Sequence, residues 1–391
     1  MKTKKPLVPG EESTDEAPAR ILVGKGKRAL ARTRIHAFTA DFAARIVRWQ
    51  VSYGRHDLPW QNTRDAYRIW LSEIMLQQTQ VTAVIPYYER FLARFPDLTS
   101  LSAATEDDVL AHWSGLGYYA RGRNLHAAAQ LIADQHAGVF PRTFEAVSGL
   151  PGVGRSTAAA ICVFAFGARH AILDGNVKRV LARHEGITGY PGAKHVQDQL
   201  WQRAEALLPG GDLESYTQGL MDLGARVCVR RNPDCPACPV ADTCVAYRDG
   251  LTDSLPSPRP VKALPERETT MLILTNAGVV LLEKRRAPGI WGGLWSFPET
   301  SGDGIDDAAR RLGVTLGKVT PLTPVAHGFT HYKLRIQPML AKVTRQSRVE
   351  EPGLVWLSLE DALGAALPAP VKRILEALGA VRSLTSEHDL A

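Results

Sequence analysis

The chain has 391 residues, 45 % apolar and 22 % charged, which at ~100–200 residues per domain implies two or three domains and excludes a disordered or collagen-like chain. No run approaches the ~18 consecutive apolar residues of a membrane span, and the first thirty residues lack the apolar region of a secretory signal, so a soluble, cytoplasmic protein with no membrane partner is expected. The formal charge of +7 invites a nucleic-acid partner, but residues 1–36 carry 9 basic and 4 acidic groups, 37–255 carry 21 and 22, and 256–391 carry 17 and 14, so that partner has to be argued from local patches.

Residues 1–36 mix Lys, Arg, Glu, Gly and Pro without apolar periodicity, which reads as a mobile basic arm, and its acidic residues speak against an organelle transit peptide. From 37 to about 250 the apolar spacing is helical: Phe42-Ile46-Trp49, Ile69-Ile74-Leu76-Val81 up to Pro86, Val109-Trp113, Leu125-Leu131, Ala158-Phe166, Val177-Ala182 and Leu200-Leu207. Few strands are expected there. Four prolines between Leu255 and Pro265 predict a stiff extended linker over 251–265. Residues 266–391 have a different texture. Met271–Thr275 and Val279–Leu282 flank an Asn276-Ala277-Gly278 turn as a hairpin, Lys333–Leu340 reads as a strand and Val371–Leu378 as a helix, an α+β domain.

Four of the five cysteines fall in Cys228-x6-Cys235-x2-Cys238-x5-Cys244, with Pro233, Pro236 and Pro239 keeping the loop from becoming helix. A compact, asymmetric cluster favours an iron–sulfur centre; zinc, whose sites usually pair two knuckles across a longer gap, and disulfides are the alternatives. Cys162, in an apolar helical run, reads as a core residue.

Leu150-Pro151-Gly152-Val153-Gly154-Arg155-Ser156 places two glycines in a tight turn opening an Ala-rich helix. This is an ordinary helix–turn–helix connection or a phosphate-holding hairpin. Asp174, twenty residues on, can cap the next helix, and Lys178 could join the hairpin in holding a nucleic-acid backbone. Trp70–Val81, read as one helix, sets Glu73, Gln77 and Gln80 on one polar stripe. That stripe is a solvated face or, because Glu73 sits among Trp70, Ile74 and Met75, a carboxyl with a raised pKa. With Asp174 in a more polar setting and ionised, the two carboxyls could cleave a glycosidic bond through an oxocarbenium-like state.

These motifs, with Leu58-Pro59-Trp60, Ser72–Val81, Gly115-Leu116-Gly117-Tyr118-Tyr119-Ala120-Arg121 and Leu173–Arg179, resemble the helix–hairpin–helix DNA glycosylases, and most closely the adenine-removing family of MutY type, over about residues 40–375. The resemblance implies a mainly α catalytic region over 37–250, with two helical lobes around a DNA-facing pocket. One lobe is sequential; the other is assembled from both flanks and carries one [4Fe–4S] cluster on Cys228, Cys235, Cys238 and Cys244. It implies that Glu73 protonates the adenine of a flipped nucleotide, Asp174 stabilises the sugar cation, Gln78 and Tyr118 wedge into the duplex, and Leu116 lies beside the opposite base. Ser156 stands where strand-cutting relatives carry a nucleophilic lysine, which implies base removal without strand cleavage. Arg226, Arg230 and Arg231 would contact phosphates.

Through Gly289–Pro298 the C-terminal part, 266–391, resembles the MutT-like (Nudix) fold. Ile305–Gly313 has two aspartates and no glutamate, so pyrophosphate hydrolysis is not expected. The resemblance instead implies recognition of 8-oxoguanine by Phe329-Thr330-His331, with threonine where serine is usual. The implied partner is duplex DNA carrying adenine opposite 8-oxoguanine or guanine, acted on by a monomer near the nucleoid. Removal of mispaired thymine or uracil, a catalytically silent DNA scanner, and a nucleotide pyrophosphatase are the weighed alternatives.

Overall fold

The structure, a computed structural model, describes residues 41–260, 263–286, 289–300, 304–346 and 352–388. The basic arm expected over 1–36 lies outside the described residues. Helix α1 occupies residues 41–53. It is followed by α2 (Ala66–Leu76), α3 (Val81–Arg94), α4 (Leu98–Ser102), α5 (Glu106–Trp113), α6 (Ala120–Gln135), α7 (Phe144–Ser148), α8 (Arg155–Phe166), α9 (Gly175–His184), α10 (Lys194–Ala206), α11 (Leu213–Arg226) and the short α12 (Val245–Arg248). Their starts are written locally: Asp65 accepts the N–H groups of Tyr67 and Arg68, Thr105 caps α5 ahead of Glu106, Asp107 and Asp108, and Asp97 closes a capping box with Ser100.

Two apolar cores divide these helices. Trp70, Leu71, Ile74, Tyr88, Phe91 and Trp113 centre the first, built from the consecutive segment α2–α8. Phe42 and Ile46 of α1 join Val177, Leu181, Leu200 and Leu223 in the second, so this lobe is assembled from chain on both sides of the first. Helix α8 serves both, giving Ile161 and the fully buried Cys162 to one and Ala159 and Ala160 to the other.

The expected continuous helix over Trp70–Val81 is not formed. Helix α2 stops at Leu76, Gln78 turns left-handed at φ 59°, and α3 begins at Val81 and continues through Pro86. Arg121 causes the break: its guanidinium donates to the carbonyls of Ile74 (3.0 Å), Met75 (2.7 Å) and Gln77 (2.5 Å), satisfying the acceptors a further turn would have used. Gln77 and Gln80 therefore do not share a helical stripe with Glu73. Near the start of α3, Pro86 forgoes only one intrahelical bond.

Among the described residues, strands begin only after the proline-rich segment: β1 (Glu266–Asn276), β2 (Val279–Lys284), β3 (Trp295–Ser296), β4 (Glu299–Thr300), β5 (Val314–Pro321), β6 (Val325–Gly328), β7 (Lys333–Gln346) and β8 (Leu354–Ser358). They form one mixed sheet in the order β3-β2-β1-β7-β5, with β4 on β1, β6 on β7 and β8 on β2. β1 and β7 run parallel, in register from Glu266 opposite Lys333 to Thr275 opposite Lys342. Helices α13 (Ile305–Arg311), α14 (Leu359–Gly364) and α15 (Ala369–His388) complete the domain.

The proline-rich segment does not begin as a free tether. Leu255 is buried, its carbonyl accepts from Arg183 at 2.8 Å, and Ser257 Oγ accepts the Gly189 N–H. The two domains also share the first core, to which Ile273, Trp291, Leu294 and Ile336 contribute. Polar bonds cross between them: Lys284 pairs with Asp107 at 2.7 Å, and the Tyr119 hydroxyl donates to the Leu367 carbonyl at 2.8 Å. No helix among the described residues is long and apolar enough to cross a membrane.

Candidate active site

A cavity of about 440 Å³ opens where the lobes meet, lined by Ser72, Glu73 and Leu76 of α2, Trp60 and Gln61 of the preceding loop, and Gln218 and Met221 of α11. The loop is fastened by a pair that sequence spacing gave no hint of. Arg55 gives its backbone N–H and its guanidinium to the fully buried Asp222, at 2.8, 2.7 and 2.6 Å, and Gln218 donates to the same carboxylate at 2.8 Å.

Glu73 is pushed up to about 8, first by burial and then by the charge of Asp174. Asp174 lies just before α9, where its carboxylate accepts the Val177 N–H at 2.7 Å. Its pKa is raised as well, because burial outweighs the N–H groups of Val177 and Asn176 and the cations Arg179 and Lys178. The expected polar setting is therefore only half realised: the N–H groups and cations are present, in a desolvated place. The N–H groups of Val177 and Asn176 and the cations Arg179 and Lys178 favour the charged form of Asp174, and that charge in turn raises Glu73.

Ser156 faces Asp174's segment, its Oγ accepting the Leu173 N–H at 2.9 Å. Gly152 adopts φ 77°, a Cβ there would lie 2.8 Å from Asn124 Cβ, and open space surrounds Gly154, so the hairpin backbone is both tight and exposed. The Gln77 amide reaches the Gly152 carbonyl and Thr157 Oγ1 at 3.4 Å, tying the end of α2 to this hairpin. Gln78 and Tyr118 are exposed, both with left-handed backbone at φ 59° and 49°. Leu116 departs from expectation. It is 7 % exposed and packed in the first core, so Tyr118 is the apolar side chain that this loop presents. Lys178 is half-buried on α9, while Arg226, Arg230 and Arg231 are exposed.

Cys228, Cys235, Cys238 and Cys244 are free thiols lining one small cavity. Arg183 Nη1 lies 3.4 Å from Cys228 Sγ, and Arg179 donates to the Cys228 carbonyl at 2.7 Å. Among the described residues no three His, Cys, Asp or Glu side chains converge on a single ion. Four thiols around a cavity with cations beside them fit a larger, negatively charged thiolate-bound centre.

In the C-terminal domain, Phe329, Thr330 and His331 form the tip between β6 and β7, closed by Phe329 N–H to the Tyr332 carbonyl at 2.8 Å. Thr330 and His331 are exposed and Phe329 is half-buried. On α13, Asp307 is paired with Arg310.

The helical lobes, the hairpin and the inter-lobe carboxyl define a DNA glycosylase of the helix–hairpin–helix class. Residues 71–206 match the HhH-GPD superfamily of base excision DNA repair proteins, and 269–377 match the NUDIX domain. The adenine DNA glycosylase of Buchnera aphidicola subsp. Acyrthosiphon pisum (strain APS) is 35 % identical over 340 residues, covering 86 % of this chain and 97 % of that protein. The Homo sapiens adenine DNA glycosylase is 32 % identical over 82 % of this chain and 71 % of that one. A solved structure of a thermostable thymine-DNA glycosylase aligns with a TM-score of 0.50 and 30 % identity, covering 56 % of this chain and 99 % of that one. The chain belongs to the adenine DNA glycosylase family.

Proposed function

We propose that the protein hydrolyses the N-glycosidic bond of adenine mispaired with 8-oxoguanine or guanine in duplex DNA, acting as a monomer on the chromosome in the cytoplasm and leaving the strand uncut. The observation that carries the reading is Glu73: a carboxyl raised to about 8 inside a cavity of about 440 Å³ is a proton donor at neutral pH. The target nucleotide must leave the stack to reach it. Glu73 gives its proton to a ring nitrogen of adenine, and the bond from the sugar carbon to the base breaks with its electrons going to the base. The Asp174 carboxylate stabilises the cation left on the sugar, and water then adds to that carbon and gives up a proton that restores the Glu73 carboxyl, yielding free adenine and an abasic site. Ser156 offers no amine for a Schiff base, and its hydroxyl is engaged with Leu173, the residue before Asp174.

Around this chemistry, Gln78 and Tyr118 fill the gap left by the base. Gly152, Gly154 and Lys178 hold the backbone of the adenine strand, and Phe329, Thr330 and His331 read the opposite base. Cys228, Cys235, Cys238 and Cys244 would hold one [4Fe–4S] cluster. When bound, that cluster supplies a thiolate-anchored cross-link that rigidifies loop 228–244 beside Arg230.

Base release under single-turnover conditions, on duplexes with adenine opposite 8-oxoguanine or thymine opposite guanine, tests the reading. Adenine release with strand breaks appearing only after hot alkali is expected. Release of thymine alone, or breaks without alkali, would overturn it.

A further inference from the structure

We propose that Trp291 is a positioning residue for opposite-base specificity: it clamps the Phe329–His331 tip to the start of α6, coupling the base opposite the adenine to the helix that carries Glu73. This rests on the reading of that tip as the opposite-base contact.

On one side, the Trp291 ring is 9 % exposed and lies 5.3 Å from the Phe329 ring and 5.5 Å from His327, with the Arg285 guanidinium 5.5 Å from its face. Phe329 is in turn 4.7 Å from both His327 and Tyr332. The exposed Thr330 and His331 are thus borne on an aromatic cluster, half-buried at His327 and Phe329 and buried at Tyr332, that Trp291 completes. Its backbone is left-handed at φ 57°, a conformation that bulky residues rarely adopt, so the surroundings hold the ring there at some cost.

On the other side, the next two residues lie against the catalytic region. The Gly292 carbonyl accepts from Arg123 of α6. Gly293, at φ 80°, passes so near α5 that a Cβ would be 2.8 Å from Glu106 Oε1. Two residues before Arg123 stands Arg121, bonded to the carbonyls that end α2 and to Gly117 of the Tyr118 loop at 3.1 Å. A contiguous set of partly buried contacts therefore runs from the recognition tip through Trp291, its neighbour Gly292 and Arg123 to Arg121 and the end of α2.

The full-length protein is assayed by single-turnover release of adenine opposite 8-oxoguanine and opposite guanine, for Trp291→Ala, Trp291→Phe, Arg123→Ala, Thr330→Ala, His331→Ala and the Trp291→Ala/His331→Ala double variant. Trp291→Ala and Arg123→Ala are expected to lower the preference for 8-oxoguanine about tenfold, with the rate opposite guanine kept within about twofold. Trp291→Phe should retain the preference. The double variant should lose no more preference than the worse single one. An unchanged preference in Trp291→Ala while His331→Ala loses it, an equal loss on both substrates, or multiplying effects in the double variant would overturn the coupling. Preference unchanged in both Thr330→Ala and His331→Ala would instead overturn the reading of the tip. Arg123→Ala, which leaves the aromatic stack in place, decides the matter if Trp291→Ala does not fold.

Discussion

A carboxyl held protonated at neutral pH costs the fold something, and Glu73 shows how much. Its ordinary value of 4.5 rises to about 8 in the folded protein. Between those values the unfolded chain releases a proton that the native state keeps, so the stability this group contributes is full below 4.5 and is lost as pH rises through about 8. At roughly 1.4 kcal/mol per unit, the loss above pH 8 is on the order of a few kcal/mol. Glu73→Gln removes the titration. This variant is expected to be more stable than wild type at pH 9 by about 2 kcal/mol or more, and to show a shallower fall between pH 6 and 9 in urea denaturation. The raised pKa of Glu73 was legible from its apolar neighbours in sequence, and the N-cap role of Asp174 from its place before a helix. The desolvation of Asp174 was not, because it depends on the lobe packed over it. Leu116 misled for a related reason: glycine-rich loops usually face solvent, yet this one turns its leucine into the core.

Among the elements, the end of α2 sets where the chain leaves the helix that carries Glu73. Gln77-Gln78-Thr79-Gln80 contains good helix formers, so nothing local announces the break. It is imposed by Arg121, more than forty residues away, which is 7 % exposed and lowered to about 10 by burial yet still charged at neutral pH. Arg121→Ala takes the guanidinium from the carbonyls of Ile74, Met75 and Gln77, of which the first keeps the Gln77 N–H and the last the Thr79 hydroxyl, and a loss of about 3 kcal/mol in stability is expected, read as a lower urea midpoint at unchanged slope. An unchanged midpoint would show that α2 ends for another reason. Most of the longer helices were legible from 3.6-residue periodicity, and the β1–β2 hairpin from its Asn-Ala-Gly turn, but α11, which carries Gln218 and Asp222, was not among the segments that spacing picked out. The Arg55–Asp222 pair, 167 residues apart in sequence, had no local signal.

For the whole molecule, the change of texture across the prolines coincides with the first strand of the described residues, β1, but the core shared across that change and the pinned Leu255 could not be read from a proline count. Nor did net charge locate the DNA-facing surface, because the catalytic region is close to neutral; the exposed arginines beside the cysteine loop supply a local patch. Replacing Arg230 with alanine should weaken lesion and non-lesion duplexes alike and reduce the slope of log affinity against log salt by about 1. A loss confined to the lesion duplex would remove Arg230 from the phosphate contacts. In the proposed reaction excision depends on the Glu73 proton, and the pH dependence of single-turnover adenine release from an 8-oxoguanine duplex, in wild type and Glu73→Gln, tests that dependence most directly. The wild-type rate should fall tenfold per unit above about pH 8 and fall again on the acid side as Asp174 takes up a proton, and Glu73→Gln should be slower by about 10²–10⁴ with the alkaline limb gone. A Glu73→Gln enzyme of wild-type rate, or a wild-type profile level to pH 9.5, would contradict it.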